Sequence, residues 1–338
     1  METLWFCLVA FMIAGYVILD GFDLGAGVIH LLAARTDRER RQVLASIGPV
    51  WDGNEVWLLA AGGTLFFAFP HVYASAFSGF YLPLMIVLWL LIFRGLGIEF
   101  RSHINSPVWT PVWDAAFSIA SLLLAVFFGA ALGNVIRGVP LDERREFFLP
   151  LWTHFQPAVE VGILDWYTIA TGVLSLAALT MHGGLWVALK TDGDLAARAA
   201  AIARRAGWAT LGMTALVTAL SFSLQPRIGS NFAAHPWGAV FPVMAMAGLA
   251  GALWIASERI RFLASSLFLA GMLASAAFGI FPYVLLSITP DRHLTVYNAA
   301  AGAYGLGIGL WWWFPGMALA TAYAVFLFRR FGGKVQVG

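Results

Sequence analysis

The sequence has one cysteine, Cys7, and only 11% of its 338 residues are charged. A lone thiol excludes an intrachain disulfide and an iron–sulfur cluster held by this chain alone. Soluble domains carry about 25% charged residues, so the scarcity of charge argues against a water-exposed globular fold. Catalytic and metal signatures are missing too: there is no H-E-x-x-H, C-x-x-C, Walker A or triad-like spacing. No long polar segment stands apart as a soluble domain. No basic stretch precedes the first apolar run, so METLWFCLVAFMIAGYVILDGFD reads as a transmembrane helix and not as a cleaved signal.

What remains is apolar. Hydrophobic residues make up 60% of the chain and the mean hydropathy is +0.80. Apolar runs long enough to cross a bilayer recur throughout. They predict an all-α polytopic membrane protein with about nine spans, near 4–32, 48–69, 73–100, 112–136, 161–189, 206–224, 238–256, 262–286 and 302–328. The links at 33–47, 101–111 and 190–205 are polar, and those near Pro70 and 257–261 are tight. One set of loops holds most of the arginine and lysine, including Arg35, Arg38, Arg40, Arg41, Arg204, Arg205, Arg329 and Arg330. The other holds Arg137, Arg144, Arg145, Arg227 and Arg292. The positive-inside rule then puts the N-terminus outside and the C-terminus in the cytoplasm. Aromatic residues near the span ends read as an interfacial belt. The triplet Trp311-Trp312-Trp313, deeper in the last span, reads as lipid-facing or subunit-facing packing.

Ionisable groups inside spans are costly, so each is a functional candidate. In DGFDLGAG, Asp20 and Asp23 are three apart and share a helix face. In WDGNEVWLLAAGG, Asp52 and Glu55 have the same spacing beside Trp51 and Asn54. FRGLGIEFR adds Arg94, Glu99 and Arg101. At about 1.5 Å per residue, Asp52 lies within roughly two turns of the basic face, Glu55 and Arg94 roughly 10 Å in, Asp23 roughly 15 Å in, and Asp20 near the midplane. This is a graded polar path from one face toward the middle. Asp20, Asp23, Asp52 and Glu55 share one buried base. The expected state has one Arg–carboxylate pair and at least one carboxyl that exchanges protons near neutral pH, as a proton relay requires. Two plainer readings stand beside it. Asp52 and Asn54, just after Pro49, could only cap a helix. Asp20, Asp23 and Arg94 could be a static ion pair that pins helices. The glycines Gly21, Gly25, Gly27, Gly53, Gly95 and Gly97 would permit close helix approach nearby.

The histidines, His30, His71, His103, His154, His182, His235 and His293, fall near span ends or in loops. None is placed with a second axial ligand for a haem. His182 in MHGG is the best candidate ligand among them. By residue chemistry alone the chain has a proton-competent site and no redox site, and it has no catalytic residue of its own.

DGFDLGAG, WDGNEVWLLAAGGTLFFAFP, YASAFSGFYLPLMIVLWLLIFRGLGIEFR and GNVIRGVP closely resemble subunit II of cytochrome bd-type quinol oxidases. The likeness is dense over 17–140 and thins afterwards to the span pattern and FGIFPYVLLS at 278–287. FRGLGIEFR is similar to the cyanide-insensitive branch. The resemblance implies a bacterial inner-membrane complex that oxidises quinol and reduces oxygen to water with cytoplasmic protons. It implies two four-helix bundles plus a peripheral helix, here 1–136, 161–286 and 302–328. It also implies haem b and haem d in subunit I, none in this chain, and no nucleic-acid partner. It leaves room for a small accessory subunit and for a bound quinone or lipid. Asp52 resembles the entry of a proton path at the subunit interface, and Asp23 and Arg94 its companions. A proton-coupled secondary transporter and a purely structural scaffold are the rival classes.

Overall fold

The computed structural model describes residues 1–104, 106–157 and 160–335. Within them the chain forms twelve α-helices, one 3-10 turn and a small hairpin. Eight helical segments are long and apolar enough to cross a membrane. They are α1 (Glu2–Ala33), α5 (Tyr81–Phe100), α6 (Trp109–Arg137), α7 (Trp166–Lys190), α8 (Gly193–Leu224), α10 (Val240–Trp254) with the turn before it, α11 (Glu258–Ile280) and α12 (Ala303–Arg330). The other expected span, 48–69, folds as α3 (Trp51–Ala68). It is not among the eight, because Asp52, Asn54 and Glu55 fall in its first five residues and dilute an otherwise apolar helix.

Three boundaries differ from the sequence expectation. The span 73–100 is two helices, α4 (Pro70–Gly79) and α5, broken at Phe80. Pro83 lacks the N–H that would bond back to Gly79, and its ring crowds that turn. The polar segment 190–205 is mostly helix. The alanine-rich run from Leu195 to Ala206 is strongly helix-forming and extends α8 well beyond its apolar part. The segment 281–286, expected at the end of a span, instead enters a hairpin of β1 (Tyr283–Leu285) and β2 (Leu294–Thr295), since Pro282 stops α11.

The helix α1 is the centre of the molecule and packs on α3, α6, α7 and α11. At its closest approach to α7, Gly25 faces Gly183. A Cβ on Gly25 would lie 1.9 Å from the Leu179 carbonyl oxygen, so no side chain fits. Gly53 and Gly95 have no comparable crowding. Gly25→Val should therefore destabilise the fold by at least about 1–3 kcal/mol, as an overpacked core does. Thermal melting in detergent checks this, with Gly212→Ala, where nothing lies within 4 Å of the added Cβ, as the unaffected control.

The short helix α2 (Asp37–Ile47) starts with a reciprocal cap. The Glu39 N–H donates to Thr36 Oγ1, and Glu39 Oε2 accepts from the N–H groups of Thr36 and Arg35. Arg198 of α8 pairs with Glu39 and donates to the Ala33 carbonyl at 2.7 Å. Desolvation opposes ionisation of Glu39, but the Arg35 N–H, the Arg198 guanidinium and the Thr36 N–H outweigh it and hold the carboxyl below its ordinary range. The resulting stability is present above the unfolded carboxyl pKa and is lost as pH falls through the lowered folded value. Acidification through that window should release α2 from α8, read as faster hydrogen exchange at the Thr36 and Glu39 amides.

The last helix, α12, lies along the outside of α1 and α3. Trp5 donates to the Leu306 carbonyl at 3.1 Å, and Gly309 abuts Phe67 and Trp5. Trp313 is buried, with its indole N–H 3.4 Å from Met12 sulfur. Trp311 and Trp312 are 82% and 52% exposed, which places two of the three tryptophans outward.

Candidate functional site

The helix α1 presents Tyr16, Asp20, Asp23 and His30 with spacings of four, three and seven, so they stack along one face. All four are buried. Arg94 reaches this face from α5 and is itself 0% exposed. Its guanidinium forks onto Asp20. Nη1 donates to Oδ2 at 2.7 Å, and Nη2 pairs with Oδ1. Such a two-point pair fixes both partners. Glu55 Oε2 of α3 lies 3.6 Å from the same Nη2, with 24% of its side chain exposed. Asp20 is therefore the direct partner of Arg94, and Glu55 is a weaker second.

Asp23, fully buried, lies about one turn along α1 from this pair. Asn54 Nδ2 donates to its Oδ2 at 2.7 Å. This decides the capping alternative for Asn54, since α3 has no side-chain cap and the amide is spent on α1. Among the described residues, Asp23 Oδ1, Arg94 Nε and the Tyr16 hydroxyl are buried without a hydrogen-bond partner. Three unsatisfied polar atoms in one cluster are unusual in a membrane interior, where each is costly. Asp52 is exposed in the first turn of α3, and among the described residues its side chain makes no hydrogen bond or ion pair. Burial thus increases from Asp52 through Glu55 to the Asp20–Arg94 pair and Asp23.

The supporting residues divide. Trp51 packs its ring against α5 at Gly95, where a Cβ would stand 3.4 Å away, next to Arg94. Glu99 is exposed; its carbonyl meets His103 Nδ1 at 2.9 Å, and its side chain makes no hydrogen bond or ion pair among the described residues. Arg101 does not join the Asp20 cluster. It donates through Nε to Asp114 Oδ1 at 2.5 Å and through Nη2 to Asp37 Oδ1 at 2.8 Å. Asp114 also meets His30 Nε2 at 2.6 Å and Arg40 Nη1 at 3.0 Å. The signal for Asp114 in the sequence is weak: it is the third residue of the expected span 112–136, an acid at the edge of an apolar run.

A third buried network closes the opposite end. Arg137 pairs with Asp165, the N-cap of α7. It also donates to the Gly162 carbonyl at 3.0 Å and to Asn134 Oδ1 at 2.7 Å. Arg137 is thus buried structure and not the loop charge that the orientation reading took it for. Its visible signals were the Asn134–Arg137 spacing just before Gly138, and the Asp165-x-x-Thr168 capping box.

His182 is also deeper than the sequence suggested. It is 0% exposed in α7 and stacks on Phe262 at 4.8 Å. Nε2 donates to the Ile18 carbonyl at 2.9 Å, and Nδ1 meets Ser265 Oγ at 2.7 Å. Both ring nitrogens are occupied by protein, which does not suit an axial haem ligand. His30 Nδ1 has no hydrogen-bond partner among the described residues. Among the described residues, no three His, Cys, Asp or Glu side chains gather as a metal site.

Comparison with known proteins matches residues 1–331 to the model of cytochrome bd terminal oxidase subunit II. The chain is 30% identical over 371 residues to the cytochrome bd-I ubiquinol oxidase subunit 2 of Escherichia coli (strain K12), covering 99% of this chain and 95% of that one. It is 31% identical over 314 residues to the cytochrome bd ubiquinol oxidase subunit 2 of Bacillus subtilis (strain 168), covering 91% and 89%. In fold it is similar to a chain of the bd oxidase from Geobacillus thermodenitrificans, with a TM-score of 0.78, 19% identity and 98% of each chain covered. The match spans the second half of the chain as well as the motif-dense first part, and the chain belongs to the cytochrome bd terminal oxidase subunit II family.

Proposed function

We propose that this chain is the haem-free subunit of a quinol:oxygen oxidoreductase, where it braces the haem-bearing subunit I and conducts protons toward the site of oxygen reduction. The haems, held by subunit I, supply the redox chemistry. This chain's own residues handle protons. The observation that carries the reading is Asp23. It is a fully buried carboxyl with one oxygen held by Asn54 and the other unpartnered, next to an arginine already claimed by Asp20. A carboxylate without its own cation is costly to bury, whereas a carboxylic acid keeps the Asn54 bond and has a proton to pass on.

Asp52, exposed, collects protons at the basic face of the membrane, which the charge distribution assigns to the cytoplasm. Glu55, one turn deeper on the same helix face, relays them. The two-point Asp20–Arg94 pair holds α1 and α5 in place beside this route. The unpartnered Asp23 Oδ1, Arg94 Nε and Tyr16 hydroxyl offer sites at which ordered water would find partners. The division into a first bundle, 1–136, carrying the path, a second, 161–286, and an outer helix, 302–328, goes with this reading. So does placement in a bacterial plasma membrane with the N-terminus outside. The full-length likeness to oxidase subunits favours this reading over a proton-coupled transporter.

Asp52→Asn tests it in the assembled oxidase. Expected is a several-fold loss of quinol-driven oxygen consumption with the haem spectrum intact. A purely structural subunit would respire at the wild-type rate.

A further inference from the structure

At the basic end of the molecule, where α2, α7 and α12 finish, the residues after α12 fold back over a cavity of about 250 Å³. That is room for roughly eight waters at about 30 Å³ each. Its lining includes three cations, Lys190, Arg330 and Lys334, and no carboxylate. Lys334 is already engaged. It donates to the carbonyls of Ala188 and Thr191 and pairs with Glu258 at 3.1 Å and Asp192 at 3.5 Å. Lys190 and Arg330 have no carboxylate partner among the described residues.

Lys190 is the telling residue. It is only 8% exposed, and its ammonium donates to the Phe331 carbonyl at 2.5 Å and sits 5.2 Å from the Trp186 ring centroid. An ammonium has three donors, and one is used. A nearly buried cation with donors to spare, facing a cavity free of acids, is built for an anion. The walls add to this. The partial negative charge of the α7 and α12 C-termini is met by Lys190 and Lys334 through the Phe331, Ala188 and Thr191 carbonyls, while Val50 precedes the first turn of α3, whose N-terminus has no side-chain cap and brings partial positive charge. The one acid in that turn, Asp52, is outside the lining. Trp186 and Phe328 make the inner wall apolar. Cations over an aromatic floor, at the ends of membrane helices, match a phosphate carried on a lipid: polar head outward, glycerol and chain against the rings.

We propose that this cavity binds the phosphate of an anionic phospholipid, held by Lys190 and Arg330, and that the lipid fastens the C-terminal segment to the α2–α3 junction. The site is separate from the Asp20–Asp23–Arg94 cluster and does not depend on its function.

The test uses the purified oxidase complex. Wild type, Arg330→Gln and the double variant Lys190→Met/Arg330→Gln are delipidated and re-equilibrated with phosphatidylcholine vesicles containing or lacking phosphatidylglycerol. Retained lipid is counted by native mass spectrometry. Expected is a phosphatidylglycerol retained by wild type and weakened roughly 25-fold in the double variant, about five-fold per charge removed. Arg330 is exposed, so the single variant keeps the test open if the double variant fails to assemble. A second arm adds inorganic phosphate alone and follows the melting temperature. If phosphate stabilises wild type but not the variants, and no phosphatidylglycerol is retained, the anion site stands and its lipid source is overturned. Equal retention and equal melting in all three proteins would overturn the proposal altogether.

Discussion

Arg94→Met is expected to prevent accumulation of a folded, haem-loaded oxidase. The substitution keeps an unbranched apolar stem but removes the guanidinium from a fully buried place where it forks onto Asp20 and lies 3.6 Å from Glu55. Asp20 would then be a buried carboxylate with no cation. Breaking a buried pair from one side costs about 3–5 kcal/mol, a large share of a total stability of about 5–15 kcal/mol. Arg94→Lys should fall between, because an ammonium keeps the charge but cannot make the two-point contact. Removing both charges, as Asp20→Asn with Arg94→Met, should recover part of the loss, since what harms the single variant is the uncompensated partner. Complex yield, haem content and melting temperature are the readouts. If the double variant is worse than either single one, the pair is not what holds these helices.

Asp23→Asn should give the opposite phenotype: normal assembly and poor turnover. Asparagine has nearly the shape of the acid and can keep a hydrogen bond with Asn54, so α1 and α3 should stay joined. What it lacks is an exchangeable carboxyl proton. Proton transfer by a positioned group is worth about 10²–10⁴-fold in rate, so oxygen consumption should fall roughly a hundredfold if no parallel route compensates, with haem content unchanged. Asp23→Leu should also lose stability, because the Asn54 amide would be buried without its acceptor. The separation of the two aspartates, one affecting assembly and its neighbour three residues on affecting rate, is the mark of the proposed division of labour.

The sequence was most legible where spacing along one helix was enough. Asp20 and Asp23, three apart in an apolar run, share a face, and the depth estimate puts Glu55 and Arg94 roughly 10 Å in, within about one turn of Asp23 at roughly 15 Å; Asn54 reads only as a possible cap. It could not say that Asp20 and not Asp23 takes Arg94, because that depends on helix rotation and on the exact crossing of α1 and α5. Networks built from distant segments were hidden for the same reason. Arg137 and Asp165 are 28 residues apart, separated by a polar stretch that reads as an outside loop. His30 and Asp114 meet only once α1 and α6 pack, and each alone resembles an ordinary span-end residue. Hydropathy located the helices but not their breaks. Pro83 divides one expected span, while the alanine-rich start of α8 looks polar by its arginines and is helical by its backbone preference.

Proton uptake during oxygen pulses tests the proposed path most directly. Wild-type, Asp52→Asn and Asp23→Asn oxidases are reconstituted into liposomes with a pH dye on the side that carries Asp52. Haem reduction by quinol is followed in the same samples. A proton path through Asp52 and Asp23 gives haem reduction at the wild-type rate in all three, and proton uptake slowed in both variants in step with oxygen consumption, more severely for Asp23→Asn. Uptake at the wild-type rate in both variants would contradict it, and would leave the buried Asp20–Asp23–Arg94 cluster as a structural pin.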